Sequence, residues 1–109
     1  MSDLPISLII PCYRDEAALA QLFGKLQGLA GFSTLQIIVV DADASPTCQQ
    51  LCARYAAQWV TSEPCRGEQL RLGVARATRP ILWFVHADAQ VQGDPLTAIR
   101  AAIDAGAAG

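Results

Sequence analysis

Four short apolar runs recur along this chain, and each is followed by a segment whose apolar residues fall at helical spacing. The runs are 6–11 (ISLIIP), 35–41 (LQIIVVD), 58–62 (QWVTS) and 81–86 (ILWFVH). Near-continuous β-branched runs of this length are what strands covered on both sides look like. Between the first two, 15–29 places Leu19, Leu22, Phe23, Leu26 and Leu29 on one helical stripe. Ser45 and Pro46 supply a cap and a first-turn proline for a second helix to about residue 58, with Cys48, Leu51, Cys52 and Tyr55 inward. A third helix over 68–77 carries Leu70, Gly73, Val74 and Ala77 on one side, and Pro80 ends it by pushing Arg79 out of the α region. Asp94 and Pro95 repeat the cap signal for a fourth, marked by Leu96, Ile99 and Ile103. This alternation predicts an α/β, Rossmann-like, mostly parallel sheet with helices on both faces and right-handed crossovers.

With 109 residues, 52% of them hydrophobic and 17% charged, the chain supports one core and is too apolar for disorder. A net charge of −2 gives no electrostatic reason to expect nucleic acid. No segment reaches the roughly 18–20 unbroken apolar residues of a membrane span, and no signal-peptide pattern opens the chain, so a cytoplasmic protein without a transmembrane segment is expected. Cys12, Cys48, Cys52 and Cys65 include no C-x-x-C pair. A structural role for them is favoured over zinc or redox chemistry, with Cys65 set apart in a loop beside Arg66.

In open parallel sheets ligands bind beyond the carboxyl ends of the strands. There the sequence places Pro11, Cys12, Tyr13, Arg14 and Asp15, then Asp41 to Ser45, then His86, Ala87 and Asp88. An aromatic at such an edge can stack on a base, and a carboxylate can accept its N–H groups. A further carboxylate can hold a divalent cation against a diphosphate.

The segments ISLIIPCYRDEAAL, IIVVDADAS and ILWFVHADA, in that order and spacing, resemble family 2 glycosyltransferases of the GT-A fold. That family's pattern is Pro-x-Tyr-Asn-Glu after the first strand, then Val-Asp-Asp-Gly-Ser, then an Asp-x-Asp metal motif. The chain is most similar to a subgroup with His-Ala-Asp in place of Asp-x-Asp, found in bacterial gene sets linked to radical-SAM and selenium proteins. The resemblance covers nearly the whole chain and implies the N-terminal, nucleotide-binding half of a GT-A domain. Residues 1–109 would then be a partial domain lacking the acceptor half, and the chain alone would be inactive. The parent reaction would be transfer of a sugar from a nucleoside diphosphate, a UDP-sugar by preference, to an unknown acceptor. By the same resemblance Pro11, Tyr13 and Asp41 match nucleotide-binding positions, with Tyr13 near the base and Asp41 hydrogen-bonded to it. Arg66 and Arg71 lie in the stretch that lines the donor pocket and would offset phosphate charge. Asp88, with His86, would hold Mg²⁺ or Mn²⁺. No residue matches a catalytic base.

The departures are as informative as the matches. Arg14 replaces the family Asn, and the loop after Asp41 loses its usual glycine. His86 replaces the first metal-motif Asp, which makes the site less anionic. Each site residue also has a plainer reading: Asp41 as a loop cap, Asp88 as a turn carboxylate, Arg66 and Arg71 as solvated helix charges. A second functional reading is a non-catalytic nucleotide-sugar-binding or regulatory module on the same half-fold. A phospho-receiver domain is excluded, because the acidic pair it needs after the first strand is absent and Lys25 is the only lysine. The fourth strand carries no charge or proline within 81–85, so pairing with a second copy is expected, giving a homodimer or larger oligomer.

Overall fold

The computed structural model describes residues 5–29, 31–89 and 96. Its elements are β1 (Ile6–Cys12), α1 (Glu16–Leu26), a 3₁₀ turn (Phe32–Thr34), β2 (Gln36–Asp41), α2 (Pro46–Arg54), β3 (Gln58–Thr61), α3 (Arg66–Arg76) and β4 (Ile81–Phe84). The strands form one sheet in the order β3-β2-β1-β4, and every pairing is parallel. The expected α/β, Rossmann-like architecture is therefore what the chain adopts. Of the expected fourth helix only Leu96 is described; it is buried, and Ile99 and Ile103 lie outside the described residues.

Strand alternation sorts the side chains between two layers. Ile6, Leu8, Ile10 and Cys12 of β1 and Ile37 and Val39 of β2 face α1 and α2, where they meet Leu19, Leu22, Phe23, Leu26, Cys48 and Cys52. Tyr55 stacks on Phe23 with ring centroids 4.6 Å apart. The opposite layer is thinner. Ile9, Ile38, Val40 and Val60 pack with Leu72 and Ala77 of α3. Among the described residues α3 is the only helix on that side, and it lies over β1 and β2. The next strand out is therefore bare: Leu82 and Phe84 of β4 share the α3 side and are 38% and 47% exposed.

Helix α3 buries only part of the face expected of it. Gln69 and Gly73 are its buried residues, while Val74 is 43% exposed. The cause is close approach. A Cβ on Gly73 would stand 2.5 Å from Ile9 Cγ2 and 3.4 Å from Val40 Cγ2, so only glycine lets the helix axis come this near the sheet. That seat rotates Gln69, one turn earlier, into the seam and leaves Val74 at its margin.

Among the described residues no helix is long and apolar enough to cross a membrane. All four cysteines are free thiols, and only Cys65 is exposed.

Candidate functional site

The order β3-β2-β1-β4 makes the gap between β1 and β4 the point where the chain reverses direction across the sheet, the usual place for a ligand crevice. Pro11 opens it. Ile9 O accepts from Val85 N at 3.0 Å on the β4 side, whereas Cys12 O accepts from Ala42 N at 2.9 Å on the β2 side. Pro11, two residues beyond Ile9, therefore faces β4 with no N–H to donate, and the β1–β4 register ends at Ile9 and Phe84.

Two clefts meet in that gap. One, of about 110 Å³, is lined by Pro11, Cys12, Tyr13, Asp15, Arg66, Gln69, His86, Ala87 and Asp88. Its neighbour, about 150 Å³, shares Pro11, Arg66 and His86 and adds Leu70, Phe84 and Val85. Ends of β1 and β4 and the first turn of α3 thus converge on one polar cleft with an apolar annex. Of the residues expected from sequence, Pro11, Tyr13, Arg66, His86 and Asp88 are brought together here. Asp41 and Arg71 are not in its lining.

Asp41 is 1% exposed, and its carboxylate is turned into its own loop. Oδ1 accepts from Asp43 N at 2.9 Å; Oδ2 accepts from Ser45 N at 2.7 Å and from Trp59 Nε1 at 3.1 Å. These bonds hold the β2–α2 loop, in which Ala44 takes a φ of 50° where glycine would be unstrained. Ser45 then caps α2 by accepting from Cys48 N at 3.3 Å. Arg71 pairs through two hydrogen bonds with Glu68 on the exposed side of α3, which holds the Glu68 carboxyl below its ordinary range.

Tyr13 is 41% exposed at the mouth of the cleft. The Arg14 guanidinium lies 4.9 Å from its ring centroid and reaches Asp43 Oδ1 at 3.4 Å. Arg14 itself has a φ of 55°. This arginine, where the family carries Asn, ties the loop after β1 to the loop after β2 and covers one face of the tyrosine. Asp15, placed at this edge by the sequence without a role, lies in the cleft wall, and sequence reasoning missed two other contributors: Trp59 as the partner of Asp41, and Gln69 in the cleft floor. Only for Trp59 was there a signal, since it sits two residues before Thr61, the register partner of Asp41.

Arg66 Nη1 lies 3.3 Å from His86 Nε2. A guanidinium can only donate, so Nε2 is the acceptor in this contact. Its lone pair is thereby engaged by a cation. Among the described residues no three His, Cys, Asp or Glu side chains are placed to hold a metal ion. The cleft's carboxylates, Asp15 and Asp88, could each give an oxygen ligand to a divalent cation, whose remaining ligands would have to come from a bound molecule.

The sequence profile of glycosyl transferase family 2 matches residues 7–109, and the chain belongs to that family. It is 29% identical over 103 residues to an uncharacterized glycosyltransferase of Mycobacterium tuberculosis, covering 94% of this chain and 45% of the relative. The chain thus spans less than half the length of that relative. Among solved structures, TarS of S. aureus superposes with a TM-score of 0.81 at 21% identity, over 96% of this chain and 33% of TarS. TarS has also been solved in complex with UDP-GlcNAc. Glucosyl-3-phosphoglycerate synthase of M. tuberculosis, solved with Mn²⁺, UDP and glucosyl-3-phosphoglycerate, superposes at 0.66 with 20% identity, over 86% of this chain and 37% of that one. At these identities the structural likeness establishes the fold.

Proposed function

We propose that this chain is the donor-binding half of a glycosyltransferase that uses a nucleoside-diphosphate sugar, with UDP as the nucleotide. The observation that carries the reading is the cleft at the β1–β4 gap, which gathers Tyr13, Arg66, His86 and Asp88. Tyr13 offers its ring face to the base. Asp41 orders the neighbouring loop by accepting from Asp43, Ser45 and Trp59, so it shapes the pocket from behind and does not touch the base. Arg66 meets the diphosphate as a fixed cation. Asp88 would hold Mg²⁺ or Mn²⁺, which when bound would neutralise charge on the departing nucleoside diphosphate. Arg71, committed to Glu68, is left out of the pocket.

Since the chain spans 45% of its relative, the acceptor site and the base that deprotonates the acceptor are proposed to lie in the part of such a protein that these residues do not match. The 109 residues alone are expected to turn over no donor. Membership in the His-Ala-Asp subgroup is proposed on His86, Ala87 and Asp88. A cytoplasmic location is proposed on the free thiols, which a reducing compartment preserves. The alternative of a non-catalytic module is less favoured, because the family and the curated relative are glycosyltransferases.

Titration calorimetry with UDP and GDP, with and without Mg²⁺ or Mn²⁺, tests the reading. Metal-enhanced UDP binding is expected, with Arg66→Ala weakening it and Asp88→Ala removing the metal dependence. No nucleotide binding at millimolar concentration would sink it.

We also propose that β4, the sheet edge among the described residues, pairs with the β4 of a second copy. Leu82 and Phe84 are exposed apolar residues on a strand with no charge or proline, and an edge of that kind is a template for its own sequence. Sedimentation should show a dimer at high micromolar concentration that Phe84→Lys dissociates; a stable monomer would refute the pairing.

A further inference from the structure

We propose that Gln69 is a positioning residue that sets the spacing of the two loops forming the donor pocket. Its amide nitrogen donates to Cys12 O and to Val40 O, both at 3.1 Å. Those carbonyls belong to neighbouring strands, and each stands one residue before a site residue: Cys12 before Tyr13, Val40 before Asp41. Cys12 O also accepts from Ala42 N at 2.9 Å, so one amide closes a knot joining the ends of β1 and β2 to the loop that Asp41 holds.

The side chain is 6% exposed, and none of the buried polar side-chain atoms among the described residues lacks a partner. Burying an amide without partners costs about 1–3 kcal/mol by protein mutational measures, so a glutamine here is tolerated only because both its protons are used. An apolar residue would satisfy the seam between helix and sheet at lower desolvation cost. What it would lack is a tie between β1 and β2 at the point where they pass into loops. Gly73 makes the reach possible, because its close seat on Ile9 and Val40 brings α3 near enough for Gln69 to touch backbone. Arg66 lies one turn further toward the cleft on the same helix, so the depth at which α3 sits also sets where that guanidinium faces His86. Gln69 therefore acts through Tyr13, the Asp41 loop and Arg66.

The inference rests on the donor-nucleotide reading for its function and on loop geometry for its structure, and the two can be tested apart. Gln69→Met keeps the volume and removes both donors. Gln69→Glu presents a carboxylate to two carbonyls when ionised and one O–H donor when protonated. Hydrogen exchange of the Ala42, Asp43 and Ser45 amides, with the α1 amides as internal control, reads spacing without any ligand. UDP with Mn²⁺, titrated into each variant below its melting temperature, reads the consequence.

Expected are faster exchange in the loop but not in α1, UDP affinity lowered at least about tenfold in Gln69→Met, and a Gln69→Glu variant whose UDP affinity relative to wild type rises as pH falls from 8 to about 5. Unchanged loop exchange in Gln69→Met overturns the proposal, and so does wild-type UDP affinity in that variant. If the variant exchanges faster while the wild-type chain binds no UDP, the donor reading fails and the spacing role stands. Should Gln69→Met not fold, the pH profile of Gln69→Glu decides, a flat profile overturning the proposal.

Discussion

On one side of the sheet α1 and α2 fill their layer with Leu19, Leu22, Phe23, Leu26, Cys48 and Cys52; on the other, the residues that α3 buries are a glycine and a glutamine, with Leu72 partly buried beside them. The first layer is held by volume. Its residues are close to fully buried, and a stack of Phe23 on Tyr55 joins the two helices. The second is held by proximity and by hydrogen bonds to strand ends. The difference follows from what each side must do. The α1–α2 side must exclude water from a thick apolar layer, whereas α3 must deliver Arg66 to a polar cleft at a fixed height above β1 and β2. A helix seated on side-chain volume would stand further off and could not touch strand backbone.

The largest effect expected is on the volume-held side. Phe23→Ala removes a ring with no exposure and should cost about 3–5 kcal/mol, enough to unfold most of a domain this small. Val74→Ala, on the helix that sequence periodicity would treat as equivalent, should change stability by less than about 0.5 kcal/mol. Urea midpoints of the two variants decide it. Equal losses would mean that the two sides are held alike.

Next in size is Gly73→Ala. Its Cβ would meet Ile9 Cγ2 at 2.5 Å, and relieving that overlap should cost about 1–3 kcal/mol even though alanine is the better helix former. The loss should shrink in an Ile9→Ala background, which removes the Cγ2 methyl, and hold in a Val60→Ala background, which lies away from the contact. A stabilised Gly73→Ala would show that α3 is not seated by close approach.

These two cases also show what was legible in the sequence. The periodicity of α1 and α2 placed their buried residues correctly, because apolar burial writes itself directly into residue type. The strands were legible through their apolar runs. For α3 the same rule selected Leu70, Gly73, Val74 and Ala77, of which Gly73 is buried; nothing in local sequence says that Gln69 will be buried beside it or that the glycine will fix the helix depth. The cleft was half legible. Tyr13, Arg66, His86 and Asp88 converge as their places at strand and helix ends implied. That Asp41 would be spent on Trp59 and its own loop, and Arg71 on Glu68, depends on partners distant in sequence or on a side-chain rotamer, which spacing does not encode.

A third prediction concerns the thiols lodged in the volume-held layer. Cys12 is held above its ordinary pKa by its hydrogen bond with Cys48 and by burial. For Cys48 the bond with Cys12 lowers the pKa, but the bond with Cys52 and burial outweigh it and push the thiol up. An unfolded thiol titrates near 9.0, so above that pH the unfolded chain releases protons that the folded one retains. The stabilisation is complete below about pH 9 and declines as pH rises. Urea midpoints between pH 7 and 10 should fall at the alkaline end, less steeply in Cys48→Ala. Under native conditions a thiol reagent should label Cys65 alone. Rapid labelling of Cys12 or Cys48 would show that the layer opens.

The smallest effects separate strain in the scaffold from strain at the site. Ala56 follows α2 with a φ of 58°, and its surroundings are those of a helix closed by a left-handed residue. Ala57 N donates to Cys52 O at 2.8 Å and Ala56 N to Ala53 O at 3.4 Å, the pair of bonds that glycine usually permits at that position. Alanine in the left-handed region costs about 1–2 kcal/mol, and the extra unfolded-state entropy of glycine takes back about 0.5–1 kcal/mol. Ala56→Gly should therefore stabilise the chain by roughly 0.5–1 kcal/mol and leave nucleotide binding unchanged, because the turn lies between α2 and β3 and not in the cleft. Ala44, at a φ of 50°, has the same strain inside the loop that Asp41 holds. Ala44→Gly should bring a similar gain in melting temperature but a looser loop, so that UDP affinity drops while stability rises. If both glycines raise stability and neither touches affinity, the strain at Ala44 has no part in shaping the pocket. If Ala44→Gly alone weakens binding, an alanine in a glycine's conformation is one of the means by which this chain holds its site open without the family's usual loop.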